Sequence, residues 1–447
     1  MSTLPTPVRA WLARQLYATL LRLGTPAYLW RVWSRGREEP GYRRLWRERL
    51  GWHQGPRWPR DARAPVVWLH AVSLGETRAA TPLVQALRER VPGMRLLLTH
   101  TTATGREAGQ ALMNPGDAQA WLPFDTPGAV RRFLAHFQPD IGVLMETEVW
   151  PVLVHEARRR GIPMVLANAR LSEKSLRQGE RFPALLKPAA AALSLTLAQT
   201  DADAERLRCM GADPVEVMGN VKFDMTPAPE LLARGRAWRE ALGRPIVLAA
   251  STREGEEPLL LAAWRRLCDG WTQGEVPRLL IVPRHPQRFD EVAGAIEAMG
   301  WRVSRRSTWG TPGQDVALDA QALTADVWLG DSMGEMPAYY ACADIGLLGG
   351  SFAPLGGQNL IEAAACGCPL VLGPSTFNFA EAAEQGLTAG AAWRVNSFEE
   401  ACLRVSSALQ AGHLAASRAA ALTFSASHQG AATRMALAIQ PLLRPMK

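Results

Sequence analysis

The segment IGLLGGSFAPLGGQNLIEAAACGCPLVL, residues 345–372, shows the architecture of the whole chain on a small scale. An apolar run at 345–348 leads into a turn with four glycines, and a helix-like stretch then precedes a second apolar run at 370–372. A strand, a helix and a strand in this order form a βαβ unit of a parallel sheet. Glycines let the backbone approach a ligand closely, so we expect a binding turn rather than a purely structural one. The turn matches neither the GxGxxG fingerprint nor a Walker A loop.

The same alternation of apolar runs and helix-like stretches extends over most of the chain, in two series separated by a proline-rich polar stretch at 226–230. The first series has runs at 66–70, 95–99, 141–145, 164–167, 193–199 and 215–218, and the second at 246–250, 279–282, 301–304, 327–329, 345–348 and 370–372. Two series predict an α/β protein with two doubly wound, Rossmann-like domains facing a cleft. Ligands of such sheets bind beyond the carboxyl ends of the strands, so functional motifs should follow the strands.

This organisation divides the chain into four predicted parts. They are an N-terminal segment at 1–60, a first domain at 61–225, a linker at 226–243 and a second domain at 244–447. The composition is that of an ordinary globular protein, with 47% apolar and 21% charged residues, which excludes a disordered chain, a collagen and a coiled coil. Six cysteines are too few for a disulfide scaffold and favour a reducing, cytosolic environment.

Positive charge is concentrated at the N-terminus. Residues 1–60 contain twelve arginines, no lysine and three glutamates, a net charge of +9, whereas the other 387 residues carry 38 basic and 39 acidic side chains. Six of the sixteen tryptophans lie in the same segment, and Leu12, Leu16, Leu20 and Leu23 recur at helical spacing. Basic, aromatic and leucine residues together favour a helix lying in the interface of an anionic membrane, and the arginines argue against a spanning helix.

Two other interpretations of this basic segment are a solvated helix and a nucleic-acid contact. The second lacks support, because the chain has no zinc-finger, RRM or KH signature. We therefore expect no nucleic-acid partner.

The first strand is followed by HAVSLGE, residues 70–76. Ser73 and Glu76 have the spacing of a capping box, which is one explanation of both residues. The other is a carboxylate at a strand-to-helix turn that deprotonates an alcohol. Ser73 and Gly75 would then lie on the acceptor side of the site.

Two further motifs follow strands of the first series. METEVWP, residues 145–151, carries Glu146 and Glu148, which would point the same way if the stretch is extended, although a solvated loop is an equal alternative. GNVKFD, residues 219–224, carries Lys222 after a strand and a glycine. A lone lysine is usually a surface residue, but this position favours a role in the site.

Three motifs follow strands of the second series. PRHP at 283–286 suits an anionic ligand, since an arginine can pair bidentately with a phosphate or a carboxylate. GDSMGEM at 330–336 precedes a helix whose first N–H groups could receive a phosphate, and the glycine-rich turn ends at Glu362, placed to accept from ribose hydroxyls. The candidate residues for this ligand are Pro283, Arg284, His285, Met333, Gly334, Glu335, Asn359, Leu360, Ile361 and Glu362.

The motifs, in this order and spacing, resemble those of the Kdo transferases, and the resemblance covers nearly the whole chain. YRRLWRERLG at 42–51 also looks like that family. These bacterial enzymes move 3-deoxy-D-manno-oct-2-ulosonic acid (Kdo) from CMP-Kdo to a lipid A precursor. The resemblance implies the GT-B glycosyltransferase fold, with an acceptor domain followed by a CMP-Kdo domain.

The resemblance also implies roles for the candidate residues. Glu76 matches the general base, Glu146 and Lys222 match positions that stabilise the transition state, and the second-series residues match the CMP-binding segments. It implies inversion of the anomeric configuration, no metal or other cofactor, and a place on the cytoplasmic side of the inner membrane of a Gram-negative cell. The alternatives are a GT-B transferase with a UDP-sugar donor and a non-catalytic membrane-associated scaffold.

Overall fold

The computed structural model describes residues 6–55, 57–58, 64–224, 226–272, 274–310, 318–410 and 414–443. Residues 1–5, 56 and 59–60 of the predicted N-terminal segment lie outside these ranges. The chain forms two compact units, Met1–Asp224 with Gly430–Lys447, and Met225–Gln429.

Each unit is built on a parallel sheet of seven strands. The strands of the first unit are β1 (Val66–His70), β2 (Arg95–His100), β3 (Ala118–Trp121), β4 (Ile141–Met145), β5 (Met164–Ala169), β6 (Leu195–Ala198) and β7 (Val215–Val217). Those of the second unit are β8 (Ile246–Thr252), β9 (Arg278–Pro283), β10 (Val303–Arg305), β11 (Val327–Leu329), β12 (Ile345–Leu348), β13 (Leu370–Leu372) and β14 (Ala392–Arg394).

Helices connect the strands, as parallel pairing requires. They are α1 (Thr6–Arg35), α2 (Leu74–Arg90), α3 (Ala103–Gly109), α4 (Pro127–Phe137), α5 (Pro151–Arg159), α6 (Glu173–Gly179), α7 (Pro183–Ala190), α8 (Asp201–Cys209), α9 (Pro229–Leu242), α10 (Glu256–Asp269), α11 (Phe289–Ala298), α12 (Ala320–Thr324), α13 (Met336–Cys342), α14 (Leu360–Ala365), α15 (Ala380–Thr388), α16 (Phe398–Gln410), α17 (Leu414–His428) and α18 (Ala431–Ile439). Short 3-10 segments lie at Pro40–Arg43, Trp46–Leu50, Gln110–Leu112, Val221–Phe223, Pro286–Arg288, Arg306–Thr308, Phe377–Phe379 and Gln440–Leu442.

The first sheet has the order β3-β2-β1-β4-β5-β6-β7. The order reverses between β1 and β4, so the crevice at the carboxyl ends of these two strands is the expected ligand site. One face of the sheet is covered by α2 and α18, with Leu83 and Met435 in the same core, and the other by α4 and α5, with Phe133 and Leu153.

The second sheet has the order β10-β11-β9-β8-β12-β13-β14, and it reverses between β8 and β12. Buried side chains of α10, α11 and α16 share a core on one face, represented by Trp264, Ile296 and Val405. Two doubly wound parallel sheets confirm the predicted α/β class. Each of the twelve predicted apolar runs overlaps a strand, whereas the edge strands β3 and β14 were missed because they are short and include polar residues, in AQAW and AWR.

Two of the predicted boundaries are wrong. The predicted linker at 226–243 is mostly the helix α9, whose Trp238 is buried against Tyr339 of α13 in the second unit. The second domain does not continue to residue 447, because the chain returns to the first unit at Gly430. Asp224 accepts hydrogen bonds from the N–H groups of Gly430 and Ala432 at the start of α18, so apolar burial and helix capping both hold the last helix there.

The N-terminal segment is less separate from the first unit than predicted. Arg49 is 1% exposed and stacks on Trp121 of β3, with its guanidinium 3.9 Å from the ring centre. One side of α1 also belongs to the unit, since Ala18 is buried in the core beside α4 and α5. The other side of α1 exposes large apolar side chains, namely Trp11, Leu12, Leu16, Leu20, Leu23, Trp30 and Trp33. Among the described helices, none is long and apolar enough to cross a bilayer.

Candidate active site

Glu76 lies in the first turn of α2, directly after β1. Its Oε2 accepts a hydrogen bond from Val72 N at 2.9 Å, and its Oε1 lies 3.4 Å from Ser73 Oγ. Ser73 Oγ in turn accepts from Glu76 N at 3.4 Å, so the capping interaction is present in a shifted form. Burial raises the pKa of Glu76, with the Val72 N–H and Lys222 opposing this and Glu146 adding to it. The geometry thus combines helix capping with a carboxyl group tuned towards proton transfer.

Glu146 follows β4, the neighbour of β1 at the switch point, which is the place where the strand order of the sheet reverses. The residue has a positive φ of 57°, so the stretch 146–148 is not extended. The prediction that Glu146 and Glu148 point the same way required an extended stretch, and that condition is not met. The left-handed turn sends the side chain inward, where it is 4% exposed. There Glu146 Oε1 is 2.7 Å from Lys222 Nζ, and its Oε2 accepts from Arg170 Nε at 3.0 Å. One carboxylate and two cations leave this cluster a net charge of +1.

Lys222 is held in place by a short 3-10 turn. Asn220 Oδ1 accepts from Lys222 N at 3.0 Å, and the buried Asn168, itself at a φ of 51°, accepts from Val221 N at 3.1 Å. The loop after β7 and the last residues of β5 therefore fix the direction of the lysine together. Since Lys222 and Glu146 both influence the pKa of Glu76, the structure brings these three predicted residues together.

Glu148 belongs to the same group of charges. Burial raises its pKa to about 7, and the nearby carboxyl groups of Glu76 and Glu146 add to this rise. A carboxyl group that is half protonated at neutral pH beside a candidate base can share a proton with it. The sequence pattern around Glu148 predicts no specific role for it.

In the second unit, the glycine-rich turn after β12 is anchored by a residue that the sequence analysis missed. Glu256, which is 2% exposed, accepts hydrogen bonds from Gly350 N at 2.9 Å, Phe352 N at 3.3 Å and Arg253 N at 2.8 Å. It joins the ends of β8 and β12 across the switch point. A Cβ at Gly349 would collide with the carbonyl oxygen of Ser251, so glycine is required for this approach.

Arg284 follows β9 and Glu362 lies in α14, and the charge of the arginine acts on the carboxyl group. Burial raises the pKa of Glu362, and the charge of Arg284 opposes that rise. Arg284 and His285 are exposed, and partial burial together with Arg253, Arg284 and Arg288 lowers the pKa of His285. The half-buried Arg253 after β8 and the exposed Arg284 after β9 form a basic surface suited to an anion.

The other candidate residues of the second unit differ in whether their side chains are accessible to a ligand. Leu360 and Ile361 are core side chains, 2% and 1% exposed, while Asn359 caps α14 by accepting from Ile361 N at 3.0 Å. Met333 is 69% exposed, and a Cβ on Gly334 would meet no atom within 4 Å, so this loop is accessible.

Glu335 is already engaged by protein groups. Its Oε1 accepts from Arg234 at 2.7 Å and from Arg306 at 2.8 Å, and its Oε2 accepts from Ser332 Oγ at 2.5 Å. Its carboxylate therefore stabilises the loop directly. Gly75 and Pro283 are in the positions expected from the strand pattern, and the structure shows no contact that identifies a role for them.

Two signals could have revealed the missed residues. Arg170 comes directly after β5, and Glu256 comes four residues after β8, so both follow the rule that site residues lie after strands. Among the described residues, no group of three or more His, Cys, Asp and Glu side chains could hold a metal ion. Metal-independent catalysis stays a prediction.

Solved structures support the fold. HepE from Anabaena in complex with UDP matches with a TM-score of 0.54 and 14% identity, over 84% of this chain and 98% of that chain. The UDP-GlcNAc 2-epimerase from Neisseria meningitidis bound to UDP-GlcNAc matches with a TM-score of 0.52 and 14% identity, over 85% and 100%. At this identity the likeness concerns the fold alone, which is the predicted GT-B type.

Sequence relatives identify the family. The family model described as 3-deoxy-D-manno-octulosonic-acid transferase matches residues 44–225. The 3-deoxy-D-manno-octulosonic acid transferase of Bordetella pertussis is 48% identical over 390 residues, 86% of this chain and 88% of the relative. That of Haemophilus influenzae is 34% identical over 404 residues, 89% and 90% of the two chains. The chain therefore belongs to the 3-deoxy-D-manno-octulosonic acid (Kdo) transferase family of glycosyltransferases.

Proposed function

We propose that this chain transfers Kdo from CMP-Kdo to a lipid A precursor, lipid IVA, with inversion at the anomeric carbon. The observation that carries the mechanism is Glu76, a carboxyl group of raised pKa at the switch point of the first sheet, next to the net positive cluster of Glu146, Lys222 and Arg170. Membership of the family supports the reaction, and the strand-end position of Glu76 supports its role as the base.

Glu76 accepts the proton of the attacking acceptor hydroxyl. In the same step the acceptor oxygen bonds to the anomeric carbon of Kdo, and the bond from that carbon to the phosphate oxygen breaks, so CMP leaves with the electron pair. Direct attack on the opposite face inverts the configuration and requires no covalent carboxylate intermediate. Burial raises the pKa of Glu76 and so increases its affinity for that proton, while Lys222 favours the ionised form that can act as a base.

The second unit supplies the donor side in this proposal. Arg284 pairs with the phosphate of CMP, and the backbone of the turn anchored by Glu256 approaches the nucleotide closely. Glu362 accepts from the ribose hydroxyls. Fixed cations and N–H groups near the leaving phosphate stabilise the negative charge that grows there.

The N-terminal helix keeps the enzyme at the membrane in this proposal. The exposed apolar side of α1 enters the interface of the inner membrane on its cytoplasmic side, where the acceptor resides. Arg9, Arg22 and Arg31 are exposed on the same helix and meet the anionic headgroups. The enzyme would then be a peripheral or monotopic membrane protein.

The decisive experiment replaces Glu76 by Gln and measures Kdo transfer to the lipid A precursor by mass spectrometry. We expect transfer to fall about 10²–10⁴-fold, which is the usual contribution of a general base. CMP binding should persist, because the donor residues lie in the other unit. The matched control is Thr200→Ala, which removes the capping hydroxyl of α8 in the same unit at a cost of about 1 kcal/mol in stability and leaves Glu76 and its partners in place. A folded Glu76→Gln enzyme with near normal turnover would end the assignment.

Nucleotide competition tests the donor and the alternatives. CMP should inhibit transfer and UDP should not; the opposite result would favour a UDP-sugar donor. Absence of any transfer by the wild-type chain from CMP-Kdo would favour a non-catalytic scaffold.

A further inference from the structure

A basic cavity of about 360 Å³ lies in the first unit where α1, α5 and α7 meet, and its lining includes none of Glu76, Glu146 and Lys222. Its size is within the range of about 300–1,000 Å³ that is usual for small-ligand sites. The polar lining comes from Arg14 of α1 and from His155, Arg158 and Arg159 of α5, and apolar residues such as Leu185 complete it.

The lining carries more positive charge than the neighbouring acid can neutralise. Glu156 is the nearby carboxylate, and it is paired with Arg131 at 2.8 Å and approaches Arg159 at 4.0 Å. In the part of the chain that the structure describes, neither Arg14 nor Arg158 has a carboxylate within 4.0 Å. The positive charge of the lining is therefore not neutralised by protein carboxylates, and the cavity is suited to bind an anion.

Electrostatic effects within the cavity agree with this imbalance. Burial lowers the pKa of Arg14, Glu156 opposes that effect, and the like charge of Arg159 adds to it. Burial and the charge of Arg14 also lower the pKa of His155, so its ring is neutral at neutral pH and can donate an N–H. An anion at this point would relieve the repulsion between the guanidinium groups.

The position of the cavity identifies the source of the anion. Ala10 and Arg14 line it from the packed side of α1, while Trp11 and Leu12 next to them are 52% and 44% exposed. If α1 lies in the interface as proposed above, lipid headgroups surround the edges of this helix. Guanidinium groups bind phosphate oxygens bidentately, and a phosphomonoester offers more charge and more free oxygens than a phosphodiester.

We propose that the cavity lined by Arg14, His155, Arg158 and Arg159 is a binding site for the phosphomonoester headgroup of a membrane lipid, separate from the transfer site. The proposal rests on the membrane placement of α1 but not on the transfer chemistry. Arg14 is half-buried, while Arg158 and Arg159 are exposed and can be reached by a headgroup. Occupation of the site by one headgroup fixes α1 and α5 against the membrane in one orientation, which attraction of charges scattered over the surface does not do.

The test compares the full chain with two variants and a control. Arg158→Gln with Arg159→Gln removes two lining cations. Ala192→Phe fills the cavity at unchanged charge, since Ala192 is a half-buried lining residue. Arg177→Gln with Arg181→Gln removes two exposed arginines elsewhere in the same unit and is the charge-matched control. Thermal unfolding of each variant checks its fold.

Sedimentation with phosphatidylcholine vesicles containing either phosphatidic acid or phosphatidylglycerol, at equal surface charge, measures the preference. We expect the wild type and the control to bind phosphatidic acid vesicles on the order of tenfold more tightly, as one additional charge-assisted contact predicts. The double variant and Ala192→Phe should lose this preference, and Ala192→Phe should keep its binding to phosphatidylglycerol. If a variant fails to fold, the other decides.

Calorimetry with glycerol 3-phosphate distinguishes a lipid headgroup from a soluble phosphate. Competition by this compound against phosphatidic acid vesicles supports the proposal. Binding of glycerol 3-phosphate without any vesicle preference, or an undiminished preference in the variants, would overturn it. Kdo transfer to a detergent-dispersed acceptor should be unchanged in the cavity variants, so a failure of the proposed transfer reaction would be seen separately.

Discussion

At the switch point of the first sheet the polar groups are side chains, whereas at that of the second they are largely backbone N–H groups. Glu76, Glu146 and Glu148 follow β1 and β4, and two cations hold Glu146. In the second unit a buried carboxylate, Glu256, receives the N–H groups of a glycine-rich turn. Two sheets of similar topology thus place carboxyl side chains at the strand ends of the first unit and a glycine-rich backbone turn at those of the second.

This difference matches two kinds of chemistry. Proton transfer requires a group whose pKa lies near the working pH, which desolvated and mutually repelling carboxyl groups provide. Recognition of a nucleotide requires close approach and fixed hydrogen bonds, which glycines and a rigid loop provide. Variants should therefore affect turnover in the first unit and donor affinity in the second.

The largest effect after loss of the base is expected from Lys222→Met. Removing a fixed cation near developing charge typically costs about 10²–10³-fold in kcat. Lys222 also lowers the pKa of Glu76, so without it Glu76 is protonated at higher pH and the acid limb of the pH–rate profile should move upward. Steady-state transfer over a range of pH measures both.

Arg170→Gln is the matched control, since Arg170 binds the other oxygen of Glu146 but its side chain is 56% exposed. We expect a smaller loss of turnover. An unshifted pH profile in Lys222→Met would show that the lysine acts on Glu146 rather than on the base.

In the second unit, Arg284→Ala and Glu362→Ala should weaken CMP binding roughly ten- to a hundredfold. Charge-assisted hydrogen bonds contribute about 1.5–3 kcal/mol, and 1.4 kcal/mol corresponds to a factor of ten. Isothermal titration with CMP is the measurement. Arg302→Ala is the control, because Arg302 pairs with Asp326 at the amino ends of β10 and β11. Unaltered affinity in both donor variants would place the nucleotide elsewhere.

Acid should destabilise the first unit more than the second. Burial lowers the pKa of His53 and His70 to about 3 and of His100 to about 4, against 6.5 for an exposed ring. A lowered folded-state pKa gives stability at neutral pH that is lost as the pH falls below 6.5, on the order of 2 kcal/mol per histidine at pH 5.

Two carboxyl groups of the first unit offset part of this loss. Burial raises the pKa of Asp125 to about 6 and that of Glu148 to about 7. At neutral pH their buried charge therefore lowers the stability of the folded state, and protonation at lower pH removes this destabilisation. Hydrogen exchange at pH 7.5 and 5, corrected for the intrinsic rate, should show a net loss of about 2–3 kcal/mol in β1 and β2. Equal changes in β8 and β9 would contradict the assignment to the histidines.

The smallest effect is expected from Glu256→Gln. The amide would direct a donor at the N–H groups of the turn, so the loop should lose its fixed shape and CMP affinity should fall about tenfold. Turnover at saturating donor should change little. Glu254→Gln, an exposed neighbour, is the control. A change in turnover without a change in affinity would place Glu256 outside donor recognition.

The sequence predicted the sheets well because a buried parallel strand is a continuous apolar run between turn signals. It predicted the site positions because motifs at the ends of such strands have to meet at one edge of the sheet. It could not predict the pairing of Glu146 with Arg170 or of Glu256 with Gly350, since these contacts join loops 24 and 94 residues apart and leave no local pattern.

The left-handed turn at Glu146 shows a second limit. Glycine, and less strongly asparagine or aspartate, indicates a positive φ in a sequence. Here a glutamate adopts it, and ion pairs with Arg170 and Lys222 stabilise the inward side chain. The same limit applies at the C-terminus. Nothing local in residues 431–439 distinguishes a helix that packs on the preceding strands from one that packs on α2.

The return of the chain at Gly430 sets an order for folding during synthesis. The second unit is one continuous stretch, so its sheet can be completed while the ribosome still holds the last residues. The first unit has to wait, because Met435 and Ile439 of α18 cover the apolar side of α2. A chain that ends at residue 429 thus contains the whole second unit and a first unit that lacks α18. Completion of translation itself becomes a condition for assembling the carboxylate site.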